Sequence, residues 1–177
     1  MKRDTVSILA LIVLVIFAWL VSPTIGNIRE ALWILPQFPA LFDSSKSFQV
    51  TQEFVTRFPR RVLGSNEARQ SADFLRQRLG GLGYKTDYLE FDATIAGRPE
   101  VGRNVLAFKP GRTPEMLAIV AHYDTAPTTV QGAMDDGSGI GVLLELAREF
   151  SESTPLRSLL FIASDGEEWG MLGALDV

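Results

Sequence analysis

Two apolar runs on either side of an amphipathic segment constrain the fold of this chain most strongly. The runs are MLAIVAHYD (116–124) and RSLLFIAS (157–164), and the segment GIGVLLELAREF (139–150) lies between them. Neither run alternates apolar with polar residues, which predicts strands buried on both faces. The segment places Ile140 and Leu143 on one side, the pattern of an amphipathic helix. This order predicts a βαβ unit with two parallel strands and a right-handed crossover.

Upstream segments extend this unit to an α/β domain. We predict one helix over SKSFQVTQEFVTRF, and a second that begins after Ser65, its N-cap, and ends at Gly80 and Gly81. The segments YKTDYLEF and RNVLAFKPG predict two further strands. The fold class is therefore α/β, with a mostly parallel central sheet sandwiched by helices, over residues 46–177. Because a predicted central strand lies close to Val177, we expect the sheet to be incomplete at the C-terminus.

The N-terminal segment is expected to lie outside this domain. No charged residue occurs from Thr5 to Ile28, and such a stretch approaches the roughly 20 residues that cross a bilayer about 30 Å thick. Lys2 and Arg3 precede it, which keeps the N-terminus in the cytoplasm. We predict a transmembrane helix that anchors the chain within residues 1–27, a juxtamembrane linker over 28–45 and an extracytoplasmic domain. The alternative is a cleaved signal peptide and a secreted protein.

Composition excludes several classes of protein. The net charge is only −4, so nothing indicates a nucleic-acid partner. The chain has no cysteine, which excludes a disulfide framework and thiolate metal sites. Gly137, Gly139 and Gly141 follow the Asp pair, but a P-loop lysine and the spacing of a dinucleotide fingerprint are both missing. We interpret these glycines as a source of backbone freedom at a crowded turn.

Polar side chains cluster at one predicted edge of the sheet. One imidazole and five carboxylates follow the ends of the two strands or precede the helix, where α/β sheets bind ligands. They are His122, the single histidine of the chain, with Asp124, Asp135, Asp136, Glu167 and Glu168. Carboxylates packed this closely would repel one another without a cation. Imidazole with carboxylates suits zinc, and also manganese or cobalt.

The motifs AHYDT, AMDDGSGIGVLLELARE and SDGEEWGMLGA together resemble the zinc aminopeptidases of peptidase family M28, over roughly residues 50–177. The resemblance implies peptide substrates, two zinc ions per complete domain and a cis peptide bond after Asp135. It makes His122 a ligand of one zinc, Asp135 the bridging carboxylate and Glu168 a ligand of the other zinc. It also makes Glu167 the general base and Asp124 the carboxylate that orients the histidine.

The resemblance also implies a mechanism. Glu167 takes a proton from a metal-activated water and passes it to the departing amine. We expect Glu167 and Glu168 to divide their roles because adjacent side chains in extended backbone point in opposite directions.

The chain departs from the family pattern after the Glu pair. Family members have two further ligands, a later carboxylate and a late histidine. This chain has no second histidine, and Asp176 lies too close to Glu168 to be that carboxylate. We therefore expect an inactive fragment in which apolar residues of the last strand, from Leu159 to Ile162, are uncovered.

Other classes of protein remain open. Glutaminyl-cyclase-like acyltransferases and the M20 carboxypeptidases use related motifs, and a peptidase-like receptor ectodomain would not be an enzyme. The sequence leaves the substrate's residue preference and the oligomeric state undetermined.

Overall fold

The structure is a computed structural model that describes residues 42–175 and Val177. The predicted anchor, and the linker up to residue 41, lie outside these residues. Within residues 42–175, no helix is long and apolar enough to cross a membrane. The helices are α1 (Ser44–Arg57), α2 (Asn66–Gly81), α3 (Ser138–Ser151) and the short α4 (Leu172–Leu175). The strands are β1 (Lys85–Ile95), β2 (Arg98–Lys109), β3 (Thr113–His122) and β4 (Arg157–Ser164).

Side-chain caps set the beginnings of the first two helices. The Asp43 carboxylate accepts hydrogen bonds from the backbone N–H groups of Ser45 and Lys46, so α1 begins inside the predicted linker. Ser65 Oγ accepts a hydrogen bond from the N–H of Ala68 (3.0 Å) at the start of α2. The prediction of Ser65 as an N-cap is therefore confirmed, and so is the end of α2 at Gly81.

The sheet has the order β1-β2-β4-β3. Strands β3 and β4 are parallel and α3 lies between them in the chain, which confirms the predicted parallel pair. Strands β1 and β2, and likewise β2 and β4, are antiparallel, so the prediction of a mostly parallel sheet is wrong. For β1 and β2 the reason is the two-residue turn at Ala96 and Gly97, both with positive φ (50° and 78°). A turn this short joins only antiparallel strands, because a parallel pair needs a crossover of a dozen or more residues.

The three long helices pack in one core cluster with one face of the sheet. Phe54 of α1, Leu75 of α2 and Leu143 of α3 are buried there against Val105 of β2 and Phe161 of β4. Leu172 of the short helix α4 packs in a second, smaller cluster with Leu63 and with Phe91 of β1. Burial of the larger cluster, which includes Val105 and Phe161, fixes the ends of the strands relative to one another.

Strand β3 is an edge strand among the described residues, because it pairs only with β4. Met116, Leu117 and Val120 are 50–55% exposed, so the prediction that this strand is buried on both faces is wrong. Strand β4 lies between two neighbours and is buried, with Leu159 at 3% and Ile162 at 2% exposed. The uncovered apolar surface therefore lies on β3 and not on Leu159 to Ile162.

Candidate metal centre

The residues predicted from the sequence meet beyond the C-terminal ends of β3 and β4. His122 is the last residue of β3, Asp135 lies in the turn before α3, and Glu167 follows β4. His122 Nε2 is 3.0 Å from Asp135 Oδ1 and 3.9 Å from Glu167 Oε2. Parallel strands that end at the same edge bring these three segments together.

Asp124 lies behind this group and is fully buried. Its Oδ1 is 3.3 Å from His122 Nδ1, and the two side chains form an ion pair when the imidazole is protonated. The same carboxylate accepts the backbone N–H of Glu167 at Oδ1 (3.1 Å) and that of Glu168 at Oδ2 (3.2 Å). One buried carboxylate therefore contacts the imidazole and holds the turn that carries the two glutamates.

The electrostatic environment of His122 favours a positive charge. Burial by itself lowers the pKa of His122, but Asp124, Asp136 and Glu167 outweigh this effect and raise the pKa to about 9. Burial also raises the pKa of Asp136, whose carboxylate accepts the N–H of Gly139 (2.8 Å). These carboxylates stabilise an added cation, whether the cation is a proton or a metal ion.

The Glu167–Glu168 pair is not in extended backbone. Glu167 to Trp169 form a single 3-10 turn between Gly166 (φ 73°) and Gly170 (φ 92°). The prediction that extended backbone separates the two side chains is therefore wrong. In a 3-10 turn, successive side chains differ by about 120° around the axis, which also directs the two carboxylates apart.

The turn before α3 interrupts helical geometry at both aspartates. Asp135 and Asp136 have φ of −128° and −121°, and the peptide bond between them is cis, as the resemblance implies. Gly132 has φ of 57°, and its carbonyl accepts the N–H of Gly137 (3.0 Å), which closes the turn around Asp135. The left-handed conformation that glycine favours is therefore needed at Gly132.

The three following glycines serve close packing. Gly137 has helical φ and ψ (−55°, −31°), so the interpretation of these residues as a source of backbone freedom is wrong. A Cβ at Gly137 would collide with Val55, one at Gly139 with the Asp136 carboxylate, and one at Gly141 with Thr51 and the carbonyl of Ser47. The glycines let α1 and the Asp turn approach α3.

Several residues that position the site were missed by the sequence analysis. Asn104 is fully buried, and its side chain accepts the N–H of Asp165 (2.9 Å) and donates to the carbonyl of Gly173 (2.7 Å), on either side of the Glu turn. Burial, followed by the charge of Asp124, raises the pKa of Asp165 to about 7. Arg61 is also fully buried, although nothing in the sequence PRRV distinguishes it from its exposed neighbour Arg60.

The donor atoms fit zinc in kind. Imidazole and carboxylate are zinc ligands, and His122 and Asp135 already lie in contact. Within residues 42–175, however, no three His, Cys, Asp or Glu side chains are arranged as a complete metal-binding group. Glu168 forms no ion pair with His122 there, and only its backbone is tied to the site, through Asp124.

Comparison with known proteins identifies the family. The sequence model of peptidase family M28 matches residues 104–177, which include every residue of the site. Over these residues the chain belongs to peptidase family M28. The resemblance carried by the three motifs is confirmed.

Relatives of this M28 chain include bacterial and fungal proteins. The alkaline phosphatase isozyme conversion protein of Escherichia coli (strain K12) is 32% identical over 145 residues, which are 70% of this chain and 42% of that protein. A vacuolar membrane protease of Candida glabrata is 30% identical over 155 residues, 84% of this chain and 16% of that protein. The chain thus spans less than half the length of either relative.

Solved structures share the fold. A leucine aminopeptidase precursor from Bacteroides thetaiotaomicron VPI-5482 matches with a TM-score of 0.67 and 25% identity, over 73% of this chain and 49% of that one. A Zn-dependent exopeptidase from Parabacteroides distasonis ATCC 8503 gives 0.64 and 25%, over 73% and 48%. A glutaminyl cyclase from Porphyromonas gingivalis gives 0.66 and 29%, over 71% and 46%. The mixed α/β sheet with its helices is thus the fold of zinc exopeptidases.

Proposed function

We propose that this protein is a zinc-dependent aminopeptidase that hydrolyses peptides from their N-terminus. The contact of His122 Nε2 with Asp135 Oδ1 (3.0 Å), with Glu167 beside it and Asp124 behind it, is the observation that carries this proposal. The solved structures named as an aminopeptidase and a zinc exopeptidase support it. In this proposal His122, Asp135 and Glu168 would hold zinc, with two ions expected in a complete domain and Asp135 as a ligand of both.

Glu167 and Asp124 have different roles in the proposed reaction. Bound zinc supplies Lewis acidity, which polarises the peptide carbonyl and lowers the pKa of water. Glu167 takes the proton of the attacking water and delivers it to the amine that leaves. Its carboxylate is 42% exposed and therefore open to a substrate, whereas the fully buried Asp124 orients His122 and cannot reach one.

We also propose that the domain is extracytoplasmic and held at a membrane by residues 1–27. The uncharged stretch from Thr5 to Ile28 supports this. The relative from Candida glabrata that is named a vacuolar membrane protease supports membrane association.

The Glu167→Gln variant tests the role of the general base. In a version of the protein that also carries the two further ligands implied by the family resemblance, we expect hydrolysis of an aminoacyl chromogenic substrate to fall by about 10²–10⁴-fold, the usual contribution of a general base. Zinc content should stay near that of the wild type, because Glu167 is proposed as a proton carrier and not a ligand. Glu115→Gln is the matched control, since Glu115 is exposed near the other end of β3. If Glu167→Gln instead loses its zinc, then Glu167 is the ligand and Glu168 is the general base.

Glutaminyl cyclisation is the second candidate activity, favoured by the match to the Porphyromonas gingivalis enzyme. A peptide that begins with glutamine separates the two reactions. An aminopeptidase releases free glutamine and a shortened peptide, whereas a cyclase releases ammonia and leaves a pyroglutamyl peptide. Mass spectrometry of the products decides between them.

A further inference from the structure

We propose that Arg61 is a positioning residue that fixes the distance between the two segments bearing His122 and Asp135. The inference rests on the proposed zinc site and adds a residue outside the motifs of the family resemblance. Arg61 lies in the loop between α1 and α2, more than 60 residues before either segment in the chain.

The guanidinium of Arg61 is fully buried and donates only to backbone carbonyls. Nε donates to the carbonyl of Tyr123, which lies between His122 and Asp124. Nη2 donates to the carbonyl of Gly132 (3.0 Å), and Nη1 to that of Gln131 (3.1 Å). A further bond from Nη1 to the carbonyl of Phe58 (2.6 Å) ties the side chain to its own segment. One planar group therefore bridges the end of β3 and the turn that carries Asp135.

Backbone contacts extend this bridge. The N–H of Thr125 donates to the carbonyl of Arg61 (3.1 Å), so the end of β3 is held twice. In the other segment, the carbonyl of Gly132 accepts hydrogen bonds from Arg61 and from the N–H of Gly137 (3.0 Å). Gly132 and Gly137 lie on either side of Asp135 in the chain. A Cβ at Gly132 would collide with the Arg61 guanidinium and the Thr125 methyl group. The segments are packed around the side chain without spare room.

Arginine is suited to this position by shape as well as by charge. Its fork of N–H donors is rigid and planar, whereas lysine offers one compact ammonium group at the end of a flexible stem. Among the described residues Arg61 forms no ion pair. Burial lowers the pKa of Arg61 to about 10, but the nearby charges of Asp124, Glu67 and Asp136 favour the charged form. The carbonyl dipoles and the ring of Phe54, whose centroid is 4.9 Å away, also stabilise the charge. Three of the four carbonyls that accept hydrogen bonds from Arg61 lie in the two segments that bear the proposed ligands. A residue that only stabilised the fold would not require this placement.

Zinc binding to the full chain, kept in detergent, tests the proposal. We expect Arg61→Met and Arg61→Lys to weaken zinc affinity in calorimetry by about 10–100-fold, the usual effect of losing a group that orients metal ligands. The lysine variant keeps the charge, so its failure to rescue binding identifies geometry as the cause. Arg69→Met is the matched control, because exposed Arg69 also donates to a carbonyl, that of Gly64 (2.6 Å), and should bind zinc normally.

A second variant displaces the guanidinium without removing it. Gly132→Ala should weaken zinc binding in the same range, and circular dichroism of each variant establishes that it is folded. Folded variants that bind zinc as tightly as the wild type overturn the positioning role and leave the proposed function intact. A wild-type chain that binds no zinc overturns both. If all three variants unfold, Arg61 is needed for the fold as a whole, and the positioning role is wrong.

Discussion

At the scale of single residues, the site is an imidazole surrounded by carboxylates. His122 is the single histidine of the chain, so its titration can be followed without assignment. The negative charges that would bind zinc also bind a proton in its absence. Proton and metal therefore compete for His122, and zinc affinity should rise with pH.

The metal-free chain should show this directly. Proton NMR of the imidazole should give a pKa of about 9 for His122 instead of the ordinary 6.5, and Asp124→Asn should lower that pKa. Because the pKa in the folded state exceeds that in the unfolded state, protonated His122 stabilises the fold below pH 6.5. This stabilisation is lost as the pH rises towards 9. Urea unfolding of the wild type and of His122→Gln measures it. An equal loss of stability in both proteins over this range would refute the prediction.

At the scale of secondary-structure elements, helices α1 and α3 touch at Gly141. We expect Gly141→Ala to reduce the free energy of unfolding by about 1–3 kcal/mol, because its Cβ would collide with Thr51 and the carbonyl of Ser47. Alanine is a better helix former than glycine by about 1 kcal/mol. A lower free energy of unfolding in Gly141→Ala would therefore have to come from the collision of its Cβ. Gly81→Ala is the control, since its Cβ would meet no atom within 4 Å. Guanidinium unfolding of both variants checks the prediction.

Strand β3 should promote self-association. Its edge is unpaired within the described residues, and Val120 is 55% exposed on it. Unpaired edges with apolar side chains are templates for pairing with another chain. We expect Val120→Lys to weaken self-association of the full chain in detergent, measured by sedimentation velocity. Val130→Lys should leave it unchanged, because Val130 is exposed in a loop. Equal effects of the two substitutions would show that added charge, and not the strand edge, is responsible.

At the scale of the whole molecule, the N-terminal segment decides where the domain works. We expect the full chain to stay with membranes after carbonate extraction, because the uncharged stretch from Thr5 to Ile28 is long enough to cross a bilayer. A variant that begins at residue 28 should be released. Recovery of a soluble form of the full chain that begins near Asn27 would support a cleaved signal peptide instead.

The sequence by itself determined the three long helices, the four strands and the segments that meet at the site. Apolar periodicity and capping are local, so Ser65 and the βαβ unit could be recognised from neighbouring residues. The placement of His122, Asp135 and Glu167 at one edge followed from the direction of parallel strands. The antiparallel pairing of β1 with β2 was missed because it depends on a two-residue turn at Ala96 and Gly97 that has no strong signature.

Only the tertiary structure decided which polar side chains serve the site from within. Arg60 and Arg61 are adjacent and chemically identical, yet one is exposed and the other is buried against carbonyls of two distant segments. Likewise, Gly141 reads as a flexible residue until Thr51 is packed against it. Periodicity depends on neighbours in the chain, whereas these contacts join residues about 60 to 90 positions apart and exist only once the core has brought them together.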